Sequence, residues 1–438
     1  VSTQLRGFLA LVLFVFFPAL ASSCPDMEGF YPGEDPDWVE LQADLAELFD
    51  QCLTSSEYFG LLGVAELNLG ELDSALEALE RAILLDPDNG AALIDYGEAL
   101  FQDGQLFASL EISSMLENRD DVPESLRDQL VERRRRWQSL TRQTRWQVEL
   151  GGGYDSNFNG APSDSRIALT LSGESVLLSL SEEYRSVAGA LLNVGLIANH
   201  TWLAPSNRQS LSGILRGRYN DQAAYDVTQL MGRYSQSQEY RLGNIAQGVG
   251  LSHLTFSGRK LFTGVDLTER LEFKRRSSAC GKFISGALQN QVWHSQRSLD
   301  GVELKIGAGT RCDLGSHSVS LEFSAIGNKA LKENRPGGDR GGWQTLGRWQ
   351  WLVKSGAVAA QLEITSLLDE IGFSPLLSDY ARRRISRASI SMQYLQPMPI
   401  MGLDTDFLVN FYHQTQRSNL GLFKIDDTEL ALGVRLNF

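Results

Sequence analysis

From about residue 144 to the end of the chain, apolar and polar positions alternate one by one. In the last fifteen residues Leu430, Leu432, Val434, Leu436 and Phe438 are apolar, and Glu429, Ala431, Gly433, Arg435 and Asn437 between them are polar or small. Side chains on a strand point alternately to opposite faces, so such a segment has one greasy and one wet face. The same pattern recurs in Trp146–Val148–Leu150–Tyr154 against Gln147 and Glu149, in Val302–Leu304–Ile306 against Glu303 and Lys305, and in Val319–Leu321–Phe323 against Ser320 and Glu322. It predicts fourteen strands, at 144–155, 188–203, 208–220, 225–236, 242–255, 259–272, 280–295, 301–312, 316–327, 341–353, 356–368, 384–396, 402–414 and 425–438. Recurrence over some 290 residues, ending on an aromatic residue, is the pattern of a closed antiparallel outer-membrane β-barrel, lipid outside and water inside. The long connections 156–187, 328–340, 369–383 and 415–424 then all fall at one end, and the short ones 204–207, 313–315 and 354–355 at the other. Trp343, Trp349 and Trp351 have the outward parity of interface girdle residues.

Before residue 144 the period changes. Trp38, Leu41, Leu45, Leu48 and Phe49 fall at helical spacing and predict a helix over 37–53. A 34-residue tetratricopeptide repeat follows, with Phe59, Gly63, Gly70, Ala75, Leu79, Ala82 and Pro87 in register from Ser56. A second copy starts at Gly90, where Leu93, Gly97, Gly104 and Leu116 hold register. Ser109 and Ser113 break it, as terminal repeats often do. A third helix is expected over 124–143. Such a short α-solenoid presents a concave face made by the first helix of each repeat. Here that face would contain Leu61, Val64, Asn68, Asp95, Glu98 and Gln102. Two readings stand: a groove for an extended client segment, or, for Leu61 and Val64, ordinary core.

Charge separates the same two halves. From Pro25 to Leu130 there are 26 acidic and 3 basic residues; beyond that segment and Arg6 there are 36 basic and 28 acidic. So acidic a domain is a poor nucleic-acid binder. Arg133–Arg136 interrupt it, with three readings: a solvated helix face, a partner for the acidic repeats, or a contact with the inner leaflet of the outer membrane. Ahead of both halves, an apolar run from Phe8 to Leu20 follows Arg6 and ends in Ala19-Leu20-Ala21, the pattern of a signal peptide. No later stretch is long and apolar enough for a membrane helix. The expected division is therefore a signal peptide at 1–21, a helical domain at 22–143 in the periplasm and a transmembrane barrel at 144–438.

The four cysteines suit an oxidising compartment. Cys280 opens the seventh predicted strand and Cys312 closes the eighth. Their midpoint falls in the connecting loop, so the two should lie opposite one another and form a disulfide. Cys24 and Cys52 would be the other pair. A weak lipobox before Cys24 leaves lipidation of that residue as an alternative.

The run Gly153-Tyr154-Asp155-Ser156-Asn157-Phe158-Asn159-Gly160-Ala161-Pro162 resembles the barrel start of the surface lipoprotein assembly modulator family. Arg417-Ser418-Asn419-Leu420, followed by Asp427-Thr428-Glu429-Leu430-Ala431-Leu432-Gly433-Val434 and Phe438, is similar to that family's last hairpin. The resemblance implies an outer-membrane protein whose periplasmic repeats help move a client lipoprotein or secreted protein to the cell surface. Its expected partners are that client, outer-membrane lipid and the barrel-assembly machinery. Two repeats, one of them decayed, are fewer than the family pattern. An exopolysaccharide export barrel and a passive porin with protein-binding repeats are the alternatives.

No nucleophile elbow, phosphate loop, dinucleotide fingerprint or metal-spaced histidine cluster is present in the sequence. No enzymatic activity, cofactor or metal is expected. Twelve charged residues carry inward parity, among them Glu149, Arg216, Arg218, Glu363, Arg387, Asp404 and Arg435. They either pair and fill the lumen or line a polar path.

Overall fold

The structure, a computed structural model, describes residues 23–33, 36–221, 225–274 and 279–438. The expected signal peptide lies outside the described residues. The chain divides into two compact units between Leu140 and Thr141.

The first unit is helical: α1 (Trp38–Glu47), α2 (Ser56–Leu69), α3 (Leu72–Leu85), α4 (Gly90–Gln102), α5 (Leu106–Glu117) and α6 (Glu124–Leu140). Three of the six starts carry a side-chain cap. Asp37, Ser55 and Asn89 accept hydrogen bonds from backbone amides of the first turns of α1, α2 and α4, the standard N-cap. Gly63 lets α3 press against α2, since a Cβ there would overlap the Leu79 side chain. Tyr58 is fully buried and donates to the Leu45 carbonyl at 2.8 Å, tying α1 to the first repeat. The expected helix over 37–53 is shorter, because α1 gives way to a 3-10 turn at Phe49–Gln51. Cys52 follows that turn and is disulfide-bonded to Cys24. A sulfur in a disulfide has no valence left for a lipid thioether, so this arrangement and lipidation of Cys24 exclude each other.

The second unit is a closed fourteen-stranded antiparallel barrel. Its strands are β1 (Arg142–Asp155), β4 (Gly189–Ala204), β5 (Asn207–Asn220), β6 (Val227–Tyr240), β7 (Gly243–Phe256), β8 (Arg259–Phe273), β9 (Cys280–Trp293), β10 (Gly301–Leu314), β11 (His317–Ala330), β12 (Arg340–Val353), β13 (Gly356–Gly372), β14 (Arg382–Pro397), β15 (Thr405–Ser418) and β16 (Ile425–Asn437). β1 pairs with β4 on one side and β16 on the other, so no edge is left open. All fourteen expected strands are present. β1 begins two residues earlier than expected, which shortens α6 by three residues. Between β1 and β4 the sequence reading had only a loop. The structure has a two-stranded hairpin there, β2 (Arg166–Leu171) and β3 (Glu174–Ser179).

The outward face is apolar and uncovered. Leu150, Leu211, Leu267, Leu304, Ile306, Leu321, Phe323 and Leu432 are each 47–62% exposed. A band of that extent fits a membrane and not water. The architecture is therefore of the outer-membrane type: tetratricopeptide-like helices followed by a closed barrel.

Connections are on average longer at the distal end, opposite Arg142. The distal set includes 156–188, 331–339 and 373–381, whereas several proximal turns have two residues. Three connections break the expected asymmetry: distal 257–258 is a tight turn, proximal 274–279 spans six residues, and proximal 398–404 spans seven and carries an Ile400–Leu403 bridge. Cys280 and Cys312 sit directly opposite each other at the proximal rim and are disulfide-bonded.

Candidate functional site: the lumen and its distal mouth

Inward side chains knit the lumen wall together. Arg435 on β16 bonds Glu149 on β1, and Arg216 on β5 lies 3.9 Å from the same carboxylate. Arg218 pairs with Asp155 and lies 3.7 Å from Glu429. Lys305 pairs with Glu303 at 3.4 Å, and Arg233 with Asp266 at 2.6 Å. Of the charged residues with expected inward parity, Asp404 is the exception. It precedes β15 in the proximal turn, where strand parity does not apply.

The motif at the end of β1 builds the distal mouth. Gly153 lies against β16, where a Cβ would overlap the Leu430 carbonyl oxygen. Tyr154 points outward and is 56% exposed, the place of a girdle aromatic. Asp155 is fully buried. Its Oδ1 accepts from the Asn157 amide at 2.6 Å while Arg218 pairs with its other oxygen. Ser156 exchanges hydrogen bonds with Thr428: its amide donates to the Thr428 carbonyl at 3.0 Å, and its Oγ accepts from the Thr428 amide at 2.8 Å. Asn157 is buried and uses both ends of its amide. Nδ2 donates to the Ala161 and Asp426 carbonyls at 2.9 and 3.0 Å, and Oδ1 accepts from the Ala161 amide at 3.0 Å. The following Phe158 is buried against inward-facing Leu191 and Ala431, with the Arg218 guanidinium 4.7 Å from its ring centroid. In the sequence this run stands out only by its resemblance, which does not show that the loop turns Phe158 into the mouth.

Beyond the motif the loop runs over its neighbours. Lys424 pairs with Asp164 at 2.8 Å, and the Thr170 amide donates to the Leu376 carbonyl at 2.9 Å. Ile167 of β2 is buried with Leu377 and Leu420, and Phe373 and Phe423 pack against them. The distal end is thus an ordered cluster of three loops.

A second cluster lies across β12–β14. Asp369 is 1% exposed and accepts from Arg340 Nε and Arg383 Nε, both at 2.9 Å. The register shift between Leu368 and Gly372 places it there, as bulges re-aim side chains near strand ends. Arg383 also covers the Phe373 and Phe423 rings at 4.4 and 4.5 Å. Arg335, on the connection between β11 and β12, is buried and donates to Asn328 at 2.5 Å. Burial holds its guanidinium below its usual pKa. Neither Asp369 nor Arg335 was singled out from sequence. The Arg382–Arg383–Arg384 run at the start of a strand was the available signal.

In the helical unit the six expected groove residues divide. Leu61 is 4% exposed within the core, so it is not available to a client; its neighbours in the first repeat cover it. Val64 is half-buried. Asn68 is exposed but donates to the Val64 carbonyl at 2.8 Å. Asp95 and Glu98 face α6, where Arg133 lies 3.6 Å from Glu98. Burial, opposed by Arg133 and reinforced by Glu98, raises the Asp95 carboxyl to about 6. Gln102 is exposed and donates to Glu98 at 3.4 Å. The arginine run therefore pairs with the acidic repeats: Arg133 with Glu98, Arg134 with Glu117. Trp137, which sequence reasoning passed over, stacks on Phe101 at 4.8 Å and completes the α4–α6 contact.

A tetratricopeptide repeat family profile matches residues 67–123, from the end of α2 to the turn before α6. No curated protein matches the chain. Among solved structures, the chain is similar to an anion-selective porin from Comamonas acidovorans, 11% identical, with 68% of this chain and 99% of that one covered and a TM-score of 0.34. It is also similar to a bacterial polysaccharide outer membrane secretin (8% identical, 67% and 97% covered, TM-score 0.33). A third is the outer membrane protein OprD from Pseudomonas aeruginosa (10% identical, 67% and 93% covered, TM-score 0.33). The fold class itself rests on the closed strand register described above.

Proposed function

We propose that this chain is an outer-membrane translocation factor that assists surface display of a client lipoprotein or secreted protein. In this reading the helical unit is periplasmic and meets the client, the barrel passes or hands it over, and no covalent step is asked of any residue. One observation carries the proposal. The run Gly153–Asn157, which resembles the barrel start of the surface lipoprotein assembly modulator family, is also the run that fastens the first distal loop into the mouth. The resemblance therefore falls on the part of the barrel that governs passage. Client contact in the helical unit is assigned to Asn68 and Gln102, the exposed members of the groove, because Asp95 and Glu98 already face Arg133.

The test is surface display in the native host. Deleting the gene should abolish protease-accessible display of a lipoprotein encoded beside it, and the wild-type chain should restore it. A chain carrying Asp155→Ala and Asn157→Ala, folded and inserted, should restore it poorly. Unchanged display in the deletion strain would remove the proposal and leave sugar export or passive diffusion as the work of the barrel. An epitope inserted after Asp88 should need permeabilisation for detection, while one in 331–339 should not.

A further inference from the structure

The lumen wall between β9 and β15 holds a cavity of about 430 Å³, within the range of small-molecule sites. Its charge is one-sided. Five basic side chains line it, Lys305, Arg335, Arg340, Arg383 and Arg387, against two acidic ones, Glu303 and Glu363. The one strongly engaged counter-ion, Asp369, is not part of the lining. It stands behind, holding Arg340 and Arg383 in place through 2.9 Å hydrogen bonds. The cavity on the opposite wall, of about 410 Å³, carries Arg216 and Arg218 against Glu149 and Glu429 and so has no surplus of either sign.

We propose that the basic cavity binds a small organic carboxylate of the sugar-acid type. Arg335 is the deciding residue. It is 5% exposed, it cannot shed its proton in a protein, and its buried Nε has no hydrogen-bond partner. No carboxylate of the described residues lies within salt-bridge distance of Arg335, because Glu303 pairs with Lys305 and Asp369 with Arg340 and Arg383, so the cavity wall carries a surplus positive charge that an anion would balance. Arg387 adds a second guanidinium, of which Nε donates to Gln416 at 3.0 Å. A carboxylate suits such forked donors. The remaining lining selects for an organic body. The Gln344 amide, whose own bond to Thr365 is long at 3.4 Å, can meet a hydroxyl group, and the Trp293 ring can meet a sugar ring. This site is independent of client translocation, since it involves neither the helical unit nor the Gly153–Asn157 motif.

Isothermal titration of the folded full-length chain in detergent tests it, with glucuronate, glucose and inorganic phosphate as probes. Glucuronate should bind saturably and glucose at least tenfold more weakly. Arg335→Gln and Arg387→Gln should each weaken glucuronate binding at least tenfold, Glu363→Gln should tighten it, and Arg233→Gln, in a different part of the lumen, should leave it unchanged. Should Arg335→Gln fail to fold, the opposite responses of Arg387→Gln and Glu363→Gln carry the same information. No heat with glucuronate, equal binding of glucose, or binding of phosphate without glucuronate would overturn the assignment. So would wild-type affinity in the Arg387→Gln chain.

Discussion

Arg435 donates to Glu149 Oε1 through both Nε and Nη2, at 2.9 and 2.6 Å, and so bonds the last strand of the barrel to the first. Both side chains are largely buried in the lumen wall, at 12% and 15% exposure. Removing one partner leaves a charge with a lost charge-assisted bond, a loss of about 2 kcal/mol. Arg435→Met should therefore lower the urea midpoint of the folded barrel in detergent, and Arg435→Lys should lower it less. Equal midpoints for all three chains would show that backbone pairing alone holds the seam.

Asn157 closes three hydrogen bonds to backbone groups of residues 161 and 426. Asn157→Ala should leave the barrel intact but release the loop, since buried carbonyls then compete for water. The expected readout is faster tryptic cleavage at Arg166 and Arg185 with unchanged resistance of the barrel core. Unaltered cleavage would mean that the Ile167 cluster alone holds the loop.

Two carboxyls in the helical unit couple its stability to pH. Burial, with repulsion from Glu71 and Glu77, raises Glu66 to about 7, and burial raises Asp95 to about 6. Both folded values lie above the unfolded ones, so the folded state holds more protons in the window between them. Stability should thus fall as pH rises from about 4 to 7 and then level off. In the full-length protein the helical melting transition should move up in temperature on going from pH 8 to pH 5. Glu66→Gln with Asp95→Asn should raise the pH 8 value and flatten the dependence. A wild-type transition insensitive to pH over this range would contradict these assignments.

Non-reducing peptide mapping of protein taken from native membranes should recover Cys280 linked to Cys312 and Cys24 linked to Cys52. A free thiol at Cys280 or Cys312 would undo that link and the β9–β10 register with it. Acylated Cys24 would undo the other.

The barrel was readable because its signal is redundant. Alternation marks each strand, and a slip of one residue would turn Leu304 and Ile306 inward and Glu303 outward. The helices were readable where small residues must sit at fixed spacing, as Gly63 does against Leu79. The site was less legible because its contacts join residues far apart in sequence. Nothing near Asn157 announces Asp426, and nothing near Arg340 announces Asp369. The β2–β3 hairpin escaped for a related reason: Ile167 is buried by Leu377 and Leu420, some two hundred residues later. In the groove, periodicity placed Asp95 and Glu98 on the first helix of a repeat, but it could not show that Arg133 would occupy their charge.

Ser156 and Asn157 bond Thr428 and Asp426, so the first distal loop is anchored on the last strand to be made. Those bonds need β1 and β16 side by side. The mouth can be dressed only after the cylinder is zipped shut, so every open form of the barrel leaves its longest loop undocked from the last strand.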